Sequence, residues 1–146
     1  MAPFTMHHLQ ATALGDKVYV LDAFYEGGYP DQIPLPNVYS YDTKTDIWQK
    51  LAEIPQARRR GGAGEAVYNG KLYIVCGITH GHRSGTNSMF DCYDPATDKW
   101  TSLPDAPHIR DHSMAVVVGD KHLFAGRWAL LLLLFRRRYN ISCYQG

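Results

Sequence analysis

Two eight-residue segments decide the fold of this 146-residue chain: Tyr41-Asp-Thr-Lys-Thr-Asp-Ile-Trp48 and Tyr93-Asp-Pro-Ala-Thr-Asp-Lys-Trp100. They are identical at five of eight positions and lie 52 residues apart. The same spacing separates Leu51 from Leu103. Several correlated matches at one period indicate an internal repeat of about 50 residues, which is typical of propellers and other repeat proteins.

A second element recurs upstream of each segment, as Gly15-Asp-Lys-Val-Tyr19, Asn69-Gly-Lys-Leu-Tyr73 and Gly119-Asp-Lys-His122. Gly-Asp or Asn-Gly between two apolar runs supplies the backbone angles of tight β-hairpin turns. The pattern therefore predicts four short strands in each complete repeat. These strands are expected near residues 8–13, 17–23, 37–42 and 47–51, and again near 61–68, 71–76, 88–93 and 99–103.

The second strand of each repeat is apolar on both faces, as in Val18–Leu21 and Leu72–Cys76. An antiparallel strand usually leaves one face in water, so these strands must be covered on both sides. Small four-stranded sheets that stack face to face around an axis meet this requirement, because each repeat covers its neighbour. The sequence thus predicts an all-β fold made of stacked antiparallel sheets.

These features resemble the kelch-repeat family of β-propellers, in particular its galactose-oxidase-like branch, over about residues 7–127. The Tyr-Asp…Trp segments, the Lys-containing hairpins and the period carry the resemblance. Kelch repeats usually have two glycines after the second strand, whereas this chain has Asp22-Ala23, Cys76-Gly77 and Ala125-Gly126. The expected fold is an incomplete β-propeller of four-stranded antiparallel kelch blades, because the smallest propellers need about four blades.

The period divides the chain into four segments. A tail breaks the pattern, because its five leucines and Arg136–Arg138 fit no loop of the earlier repeats. We expect the sequence to leave the propeller frame near residue 127, through a retained intron, a frameshift or a truncated gene model; the alternative is a short lipid anchor. The segments are blade 1 (1–55), blade 2 (56–107), a partial blade 3 (108–127) and an aberrant apolar and basic tail (128–146).

The composition excludes several classes of protein. A formal net charge of +1 gives no basic field for nucleic acid, and the run Arg58–Arg60 is expected to form a solvated loop. The N-terminus lacks the basic and apolar regions of a signal peptide, and no apolar run reaches the roughly 20 residues of a membrane helix. We therefore expect a cytoplasmic protein by default, without a membrane span.

Propeller topology places the candidate site residues. The segment entering the first strand and the loop after the second strand lie at one end of a blade, near the mouth of the central channel. Arginine and histidine there could bind a small polar or anionic ligand, or could instead tie the loops together by hydrogen bonds and ion pairs. The candidate ligand-binding residues are His8, Arg60, His80, His82, Arg110, Asp111 and His112.

No cofactor is predicted, although the histidines allow an alternative with one metal ion. His80 and His82 could approach the same ion as His7, His8 and His112, as in metal-dependent kelch propellers. A copper-radical oxidase would also need a tyrosine cross-linked to a cysteine, and no motif in the chain identifies such a pair. No catalytic residue is predicted, and Gly-x-Ser-x-Gly is absent.

The family resemblance implies a kelch-repeat binding module, a fragment of a larger propeller that binds a protein partner through loops at the channel mouth. A binding protein is favoured over an enzyme. Two alternatives stay open. One is a fragment of a galactose-oxidase-like or sugar-epimerase-like propeller enzyme, and the other is a metal-dependent specifier-type kelch protein.

Overall fold

A computed structural model describes residues 2–3, 5–118, 121–126 and 129–131, the last two ranges through their backbone. The described residues form fifteen strands and one short 3-10 helix at Gln56–Arg58. The strands of the first repeat are β1 (Ala11–Leu14), β2 (Lys17–Val20), β3 (Phe24–Glu26), β4 (Ile33–Pro34), β5 (Tyr39–Asp42) and β6 (Ile47–Lys50). Those of the second are β7 (Gly64–Tyr68), β8 (Lys71–Val75), β9 (Ile78–His80), β10 (Ser84–Thr86), β11 (Phe90–Asp94) and β12 (Lys99–Leu103). The remaining strands are β13 (Met114–Val118), β14 (Lys121–Gly126) and β15 (Ala129–Leu131).

Each complete repeat forms one four-stranded antiparallel sheet, which confirms the predicted blades. The strand orders are β1-β2-β5-β6 and β7-β8-β11-β12, so neighbours in sequence are mostly neighbours in space. The predicted hairpin turns are present: Gly15, Asn69 and Gly70 have φ angles of 61°, 48° and 72°. Glycine and asparagine tolerate this left-handed backbone better than other residues, which is why they stand at these turns.

The third sheet has the order β13-β14-β15. Its third strand, Ala129–Leu131, pairs with Phe124–Gly126 in antiparallel fashion. Backbone groups alone make this pairing, so it leaves the predicted departure from the repeat near residue 127 as a prediction. The hairpin at Gly119-Asp120 and the rest of the tail lie outside the described residues.

Two additional hairpins extend from the blades where the sequence predicted only loops. In the first, β3 pairs with β4 across an irregular register; in the second, β9 pairs with β10. Both connect the second strand of a blade to the third. They therefore project from the same end of blades 1 and 2, which we call the loop face, together with the segments entering β1, β7 and β13. We call the opposite end, with the tight turns, the turn end.

One of the two large core clusters lies between blades 1 and 2. Tyr19 and Leu21 of the first blade pack with Leu72, Ile74 and Tyr93 of the second, and all five are buried. These residues come from the two-sided apolar strands and the repeated tyrosines. The recurring aromatic residues therefore serve blade-to-blade packing, and the double-sided burial that the sequence required is provided by the neighbouring blade.

Close contact between blades 2 and 3 depends on small residues along their innermost strands. A Cβ added at Gly64 would lie 3.0 Å from the backbone nitrogen of Ala115. The side-chain amide of Gln10, just before β1, joins both strands: Gln10 Oε1 accepts from the N–H of Glu65 (2.9 Å) and of Ala115 (3.2 Å). Gln10 Nε2 donates to the carbonyls of the same two residues, at 2.9 and 3.2 Å. One side chain of blade 1 thus connects the backbones of blades 2 and 3.

Among the residues that the structure describes, no helix is long and apolar enough to cross a lipid bilayer.

Candidate functional site

Three histidines from three repeats meet at the loop face. His8 precedes β1, His82 lies in the β9–β10 hairpin and His112 precedes β13. Their ring centroids lie 4.6 Å (His8–His82), 5.2 Å (His8–His112) and 4.9 Å (His82–His112) apart. One ring nitrogen from each lies within 4.8 Å of the other two. We call this group the histidine cluster.

The backbone brings two of these histidines to equivalent positions in the repeat. His8 and His112 have φ angles of 54° and 47°, and Gly62 occupies the corresponding position of blade 2 with a φ of 62°. A left-handed backbone favours glycine and disfavours a bulky side chain. Blades 1 and 3 therefore carry histidine at a position where the backbone itself favours the glycine found in blade 2.

His82 reaches the cluster because the two hairpins hold each other. The His82 N–H donates to the Pro30 carbonyl at 2.8 Å, and His82 Nδ1 donates to Gln32 Oε1 at 3.1 Å. Gln32 is buried, and an amide oxygen can only accept a hydrogen bond. At the hairpin tips, Arg83 forms an ion pair with Asp31 that includes a 3.0 Å bond from its terminal nitrogen to Asp31 Oδ2.

The neighbouring rings also change the acidity of His8. Burial, followed by the charges of His82, His7 and His112, lowers its pKa below the usual value of 6.5. A positive charge on one imidazole opposes protonation of the others. The surroundings therefore favour the neutral form of the His8 imidazole, whose nitrogen lone pair can accept a hydrogen bond or bind a metal ion.

A pocket of about 170 Å³ lies beside the cluster. It is bounded by the residues that enter the innermost strands of all three sheets, which places it at the loop face. The lining residues are His8, Leu9, Gln10, Gly62, Ala63, His112, Ser113 and Met114.

Arg60 lies beneath this surface, with only 1% of its area exposed. Its guanidinium donates to the carbonyls of Cys76 (2.6 Å), Arg58 (2.7 Å) and Ile74 (3.2 Å). It also forms an ion pair with Asp91 at 2.8 Å. These partners belong to the protein itself, so the structure places Arg60 in the framework of blade 2 and away from the surface that a ligand at the mouth could reach.

The rest of the arginine run is also engaged, in contrast to the solvated loop that the sequence predicted. Arg58 Nε lies 2.5 Å from Asp91 Oδ1, and Arg59 contacts Glu53 at 3.0 Å. The three arginines therefore neutralise carboxylates of blade 2 and of the connection that precedes it. This is the alternative in which arginines tie the loops by ion pairs; the partner that sequence reasoning did not identify is Asp91, within strand β11.

The other candidate ligand-binding residues differ in their position relative to the histidine cluster. His80 is exposed, and its Nδ1 shares a 2.9 Å hydrogen bond with the Thr79 hydroxyl, away from the cluster. Arg110 joins β-type backbone pairing with Asn87. Asp111 lies next to the cluster, with Oδ2 3.6 Å from His112 Nδ1. The structure thus brings together His8, His82 and His112, with Asp111 at their side.

Two buried carboxyls between blades 1 and 2 were not among the predicted residues. Glu65 Oε1 accepts from the N–H of Leu21 (2.9 Å) and of Asp22 (3.2 Å), and Asp22 Oδ2 accepts from the Ala63 N–H (2.7 Å). Burial raises the pKa of Asp22 to about 6. Burial, together with the adjacent Asp22, raises the pKa of Glu65 well above its usual value. A glutamate inside the apolar strand β7 was the available signal.

Comparisons with known proteins agree with this architecture. A family model described as Kelch motif matches residues 59–107. The chain is 28% identical over 130 residues to "Kelch-like protein terF" of Aspergillus terreus (strain NIH 2624 / FGSC A1156), which covers 86% of this chain and 28% of that protein. It is 34% identical over 116 residues to "Kelch-like protein 38" of Rattus norvegicus, covering 77% of this chain and 18% of that protein.

A solved structure described as "Structure of YjhT" superposes with a TM-score of 0.63 and 25% sequence identity, over 84% of this chain and 34% of that one. The chain spans less than a third of the length of the two curated relatives. The repeated hairpins, the stacked four-stranded sheets and these similarities together show that the chain belongs to the kelch-repeat family, and that its sheets are blades of a β-propeller.

Proposed function

We propose that this chain is a protein-interaction module, part of a larger propeller, that binds its partner through the loop face. The observation that carries the proposal is the exposure of large apolar side chains there. Tyr29 is 78% exposed and Ile33 is 46% exposed on the first hairpin, and Ile109 is 64% exposed in the segment entering blade 3. Large apolar and aromatic side chains held at a surface are typical of the central contacts of protein interfaces.

The two hairpins support this proposal because they form one continuous platform. Strand β4 packs beside β9. A Cβ added at Gly81 would lie 2.1 Å from the Pro30 carbonyl oxygen and 2.7 Å from the Gln32 nitrogen, so glycine permits this close approach. The platform is fixed by backbone contacts, and a partner that binds to it meets a preformed surface with little entropy to lose.

The polar groups on the platform define the kind of partner that would fit. The tip carries one carboxylate and one guanidinium, Asp31 and Arg83, which already neutralise each other. Tyr29 stacks near His82, with ring centroids 5.2 Å apart, and leaves most of its surface in solvent. A partner with an apolar anchor and a polar rim matches this surface better than a strongly charged polymer does.

The experiment compares one loop-face variant with a matched change at the turn end. The loop-face variant is Tyr29→Ala combined with Ile33→Ala, and the control is Ile47→Ala, because Ile47 is also 60% exposed but lies at the opposite end. Partners are captured on the immobilised full chain, identified by mass spectrometry, purified and titrated. The loop-face variant is expected to bind at least about tenfold more weakly, whereas the control keeps its affinity.

Two outcomes would overturn the proposal. One is that Ile47→Ala weakens binding of the purified partner while the loop-face variant binds normally. The other is that no protein binds this chain more tightly than it binds an unrelated propeller. Thermal unfolding of each variant confirms that a change in binding does not come from a loss of folding.

A further inference from the structure

We infer that His8, His82 and His112 form a binding site for a zinc ion, with one coordination position left open. This inference does not depend on a protein partner and concerns the side chains behind the exposed platform. It rests on the positions of the ring nitrogens, on the groups that orient them and on the repeat positions that the histidines occupy.

The spacing of the nitrogens suits a single ion. Zinc binds imidazole nitrogens at about 2.0–2.1 Å, so two ligands at a tetrahedral angle lie roughly 3.4 Å apart. His82 Nε2 and His112 Nε2 are 3.1 Å apart, close to this value. The coordinating nitrogen of His8 lies within 4.8 Å of both. The His8 side chain is exposed, and its Nδ1 lies 2.5 Å from His7 Nδ1, so zinc binding requires the His8 ring to turn toward the other two histidines.

The groups around the cluster orient one of the imidazoles, that of His82, as metal ligands usually are. A ligating histidine generally donates its other ring N–H to a carbonyl, an amide oxygen or a carboxylate. His82 Nδ1 donates to the buried oxygen of Gln32, which leaves Nε2 with its lone pair facing His112. On His112, Nε2 faces His82, and Nδ1 lies 3.6 Å from the Asp111 carboxylate without a hydrogen bond to it.

The repeat positions argue against a purely structural role for these histidines. The backbone at His8 and at His112 is left-handed, and glycine would adopt it at lower cost, as Gly62 does in blade 2. A side chain at that position of blade 2 would be crowded, since a Cβ on Gly62 would lie 3.3 Å from the backbone nitrogen of His112. It contributes His82 from its hairpin instead. Strained residues that gather at one place are characteristic of functional sites.

Three histidine ligands leave one position on a tetrahedral zinc ion for water or an added ligand. The 170 Å³ pocket is lined by His8 and His112, so it lies next to the cluster. Its remaining polar lining comes from Gln10 and Ser113, and the Ser113 hydroxyl is a buried group with no hydrogen-bond partner in the protein. The open position thus adjoins a space that accepts a small oxygen-containing ligand, such as a carboxylate.

The test uses the full chain and zinc chloride as the probe. Isothermal titration is expected to show one zinc ion per chain, and cobalt(II) is expected to give the intense visible absorption of a four-coordinate site. His82→Gln and His112→Gln keep a polar side chain of similar size, and each is expected to weaken zinc binding at least about tenfold. His80→Gln is the matched control, because His80 lies in the same hairpin outside the cluster and its substitution should leave the affinity unchanged.

Zinc should also raise the melting temperature of the wild-type chain but not that of the two cluster variants, since a ligand stabilises the state that binds it. If a cluster variant does not fold, the proton and nitrogen shifts of the wild-type imidazoles on zinc addition decide the question. The inference is overturned if wild-type protein binds no zinc, if zinc shifts histidine resonances other than those of the cluster, or if His80→Gln weakens binding as much as His82→Gln. These outcomes are distinct from a failure to bind a protein partner.

Discussion

The turn end and the loop face of the same blades differ in how they use their residues. At the turn end, both complete repeats place the same side chains in the same contacts. The Tyr41 hydroxyl donates to Asp46 at 2.7 Å, and the Tyr93 hydroxyl donates to Asp98 at 2.6 Å. Each tyrosine ring also packs against the tryptophan of its own repeat, with centroids 5.2 Å apart in both blades.

At the loop face, equivalent positions carry different residues with different partners. Two of the three left-handed positions before the innermost strands hold histidine and the third holds glycine. Below the loops lie buried ionisable side chains: Arg60 pairs with Asp91 within blade 2, and Glu65 of blade 2 accepts from the N–H of Asp22 of blade 1. Repetition therefore marks the contacts that every blade needs, and divergence marks the end available for binding.

The largest effect is expected from the removal of Arg60, which belongs to the segment entering β7 at the loop face but is buried against blade 2. We expect Arg60→Ala to lower the free energy of unfolding by about 3 kcal/mol, because it removes one of the two arginines that pair with the buried Asp91 and takes a donor from the buried Cys76 carbonyl. Arg59→Ala is the control, since Arg59 is more exposed and pairs with the exposed Glu53. Urea unfolding measures both. A loss below about 1 kcal/mol for Arg60→Ala would show that its carbonyl and carboxylate contacts are dispensable.

The buried carboxyls predict a pH dependence of the framework below the loop face. Asp22 holds its proton more tightly in the folded chain, with a pKa of about 6 against 3.8. Its contribution to stability is therefore full below pH 3.8 and is lost as the pH rises through about 6. Relative to Asp22→Asn, the wild-type chain is expected to lose on the order of 2 kcal/mol across this window, as measured by urea unfolding at several pH values.

The control for this pH series is Asp94→Asn. The hydrogen bond from Lys71 at 2.7 Å lowers the pKa of Asp94, so the stability that Asp94 contributes is lost as the pH falls, opposite to the change at Asp22. Like the wild-type chain, the Asp94→Asn variant should therefore still become less stable between acidic and neutral pH. Parallel pH profiles for wild type and Asp22→Asn would contradict the role assigned to Asp22.

A smaller effect is expected at the turn end, from a pair of matched substitutions. Asp98 accepts from the Tyr93 hydroxyl and from the Ala52 N–H (2.8 Å), which joins blade 2 to the connection from blade 1. Asp46 accepts a hydrogen bond from the Tyr41 hydroxyl, and this contact is exposed to solvent. Both aspartates have left-handed backbones, with φ of 53° and 59°, so an alanine adds similar strain at each.

We therefore expect Asp98→Ala to cost about 1–2 kcal/mol in thermal or urea unfolding, because it leaves the partly buried Tyr93 hydroxyl unpaired, and Asp46→Ala to cost less. Equal losses in the two variants would show that the hydrogen bond from the Ala52 N–H to Asp98 adds nothing to the free energy of unfolding. A larger loss for Asp46→Ala would reverse the ranking of the two turns.

The sequence predicted the blades because their strands and turns depend on local and repeated features. Asn69-Gly70 favours a tight turn wherever it stands, and the tyrosines and tryptophans recur at fixed offsets. The β3–β4 and β9–β10 hairpins were missed because glycine and proline in these segments are typical of loops. Their pairing is stabilised by contacts between hairpins, such as Gln32 with His82, which are distant in sequence.

The candidate site was predicted only in part for the same reason. Topology alone placed His8 and His112 near one another, since they occupy the same repeat position. It could not separate His80 from His82, because only the fold of the hairpin tip directs one of them to the cluster. Arginine is usually exposed, so the burial of Arg60 required knowledge of Asp91 and of the carbonyls that surround it.

The side-chain amide of Gln10 has a consequence for how these blades assemble. It acts as a short extra peptide group, since it donates to and accepts from the exposed inner edges of β7 and β13. The N–H and carbonyl groups of Glu65 and Ala115 thus find their partners in a residue 55 and 105 positions earlier in the chain. The inner edges of blades 2 and 3 are completed by the segment that begins blade 1, so the stability of each blade depends on its neighbours.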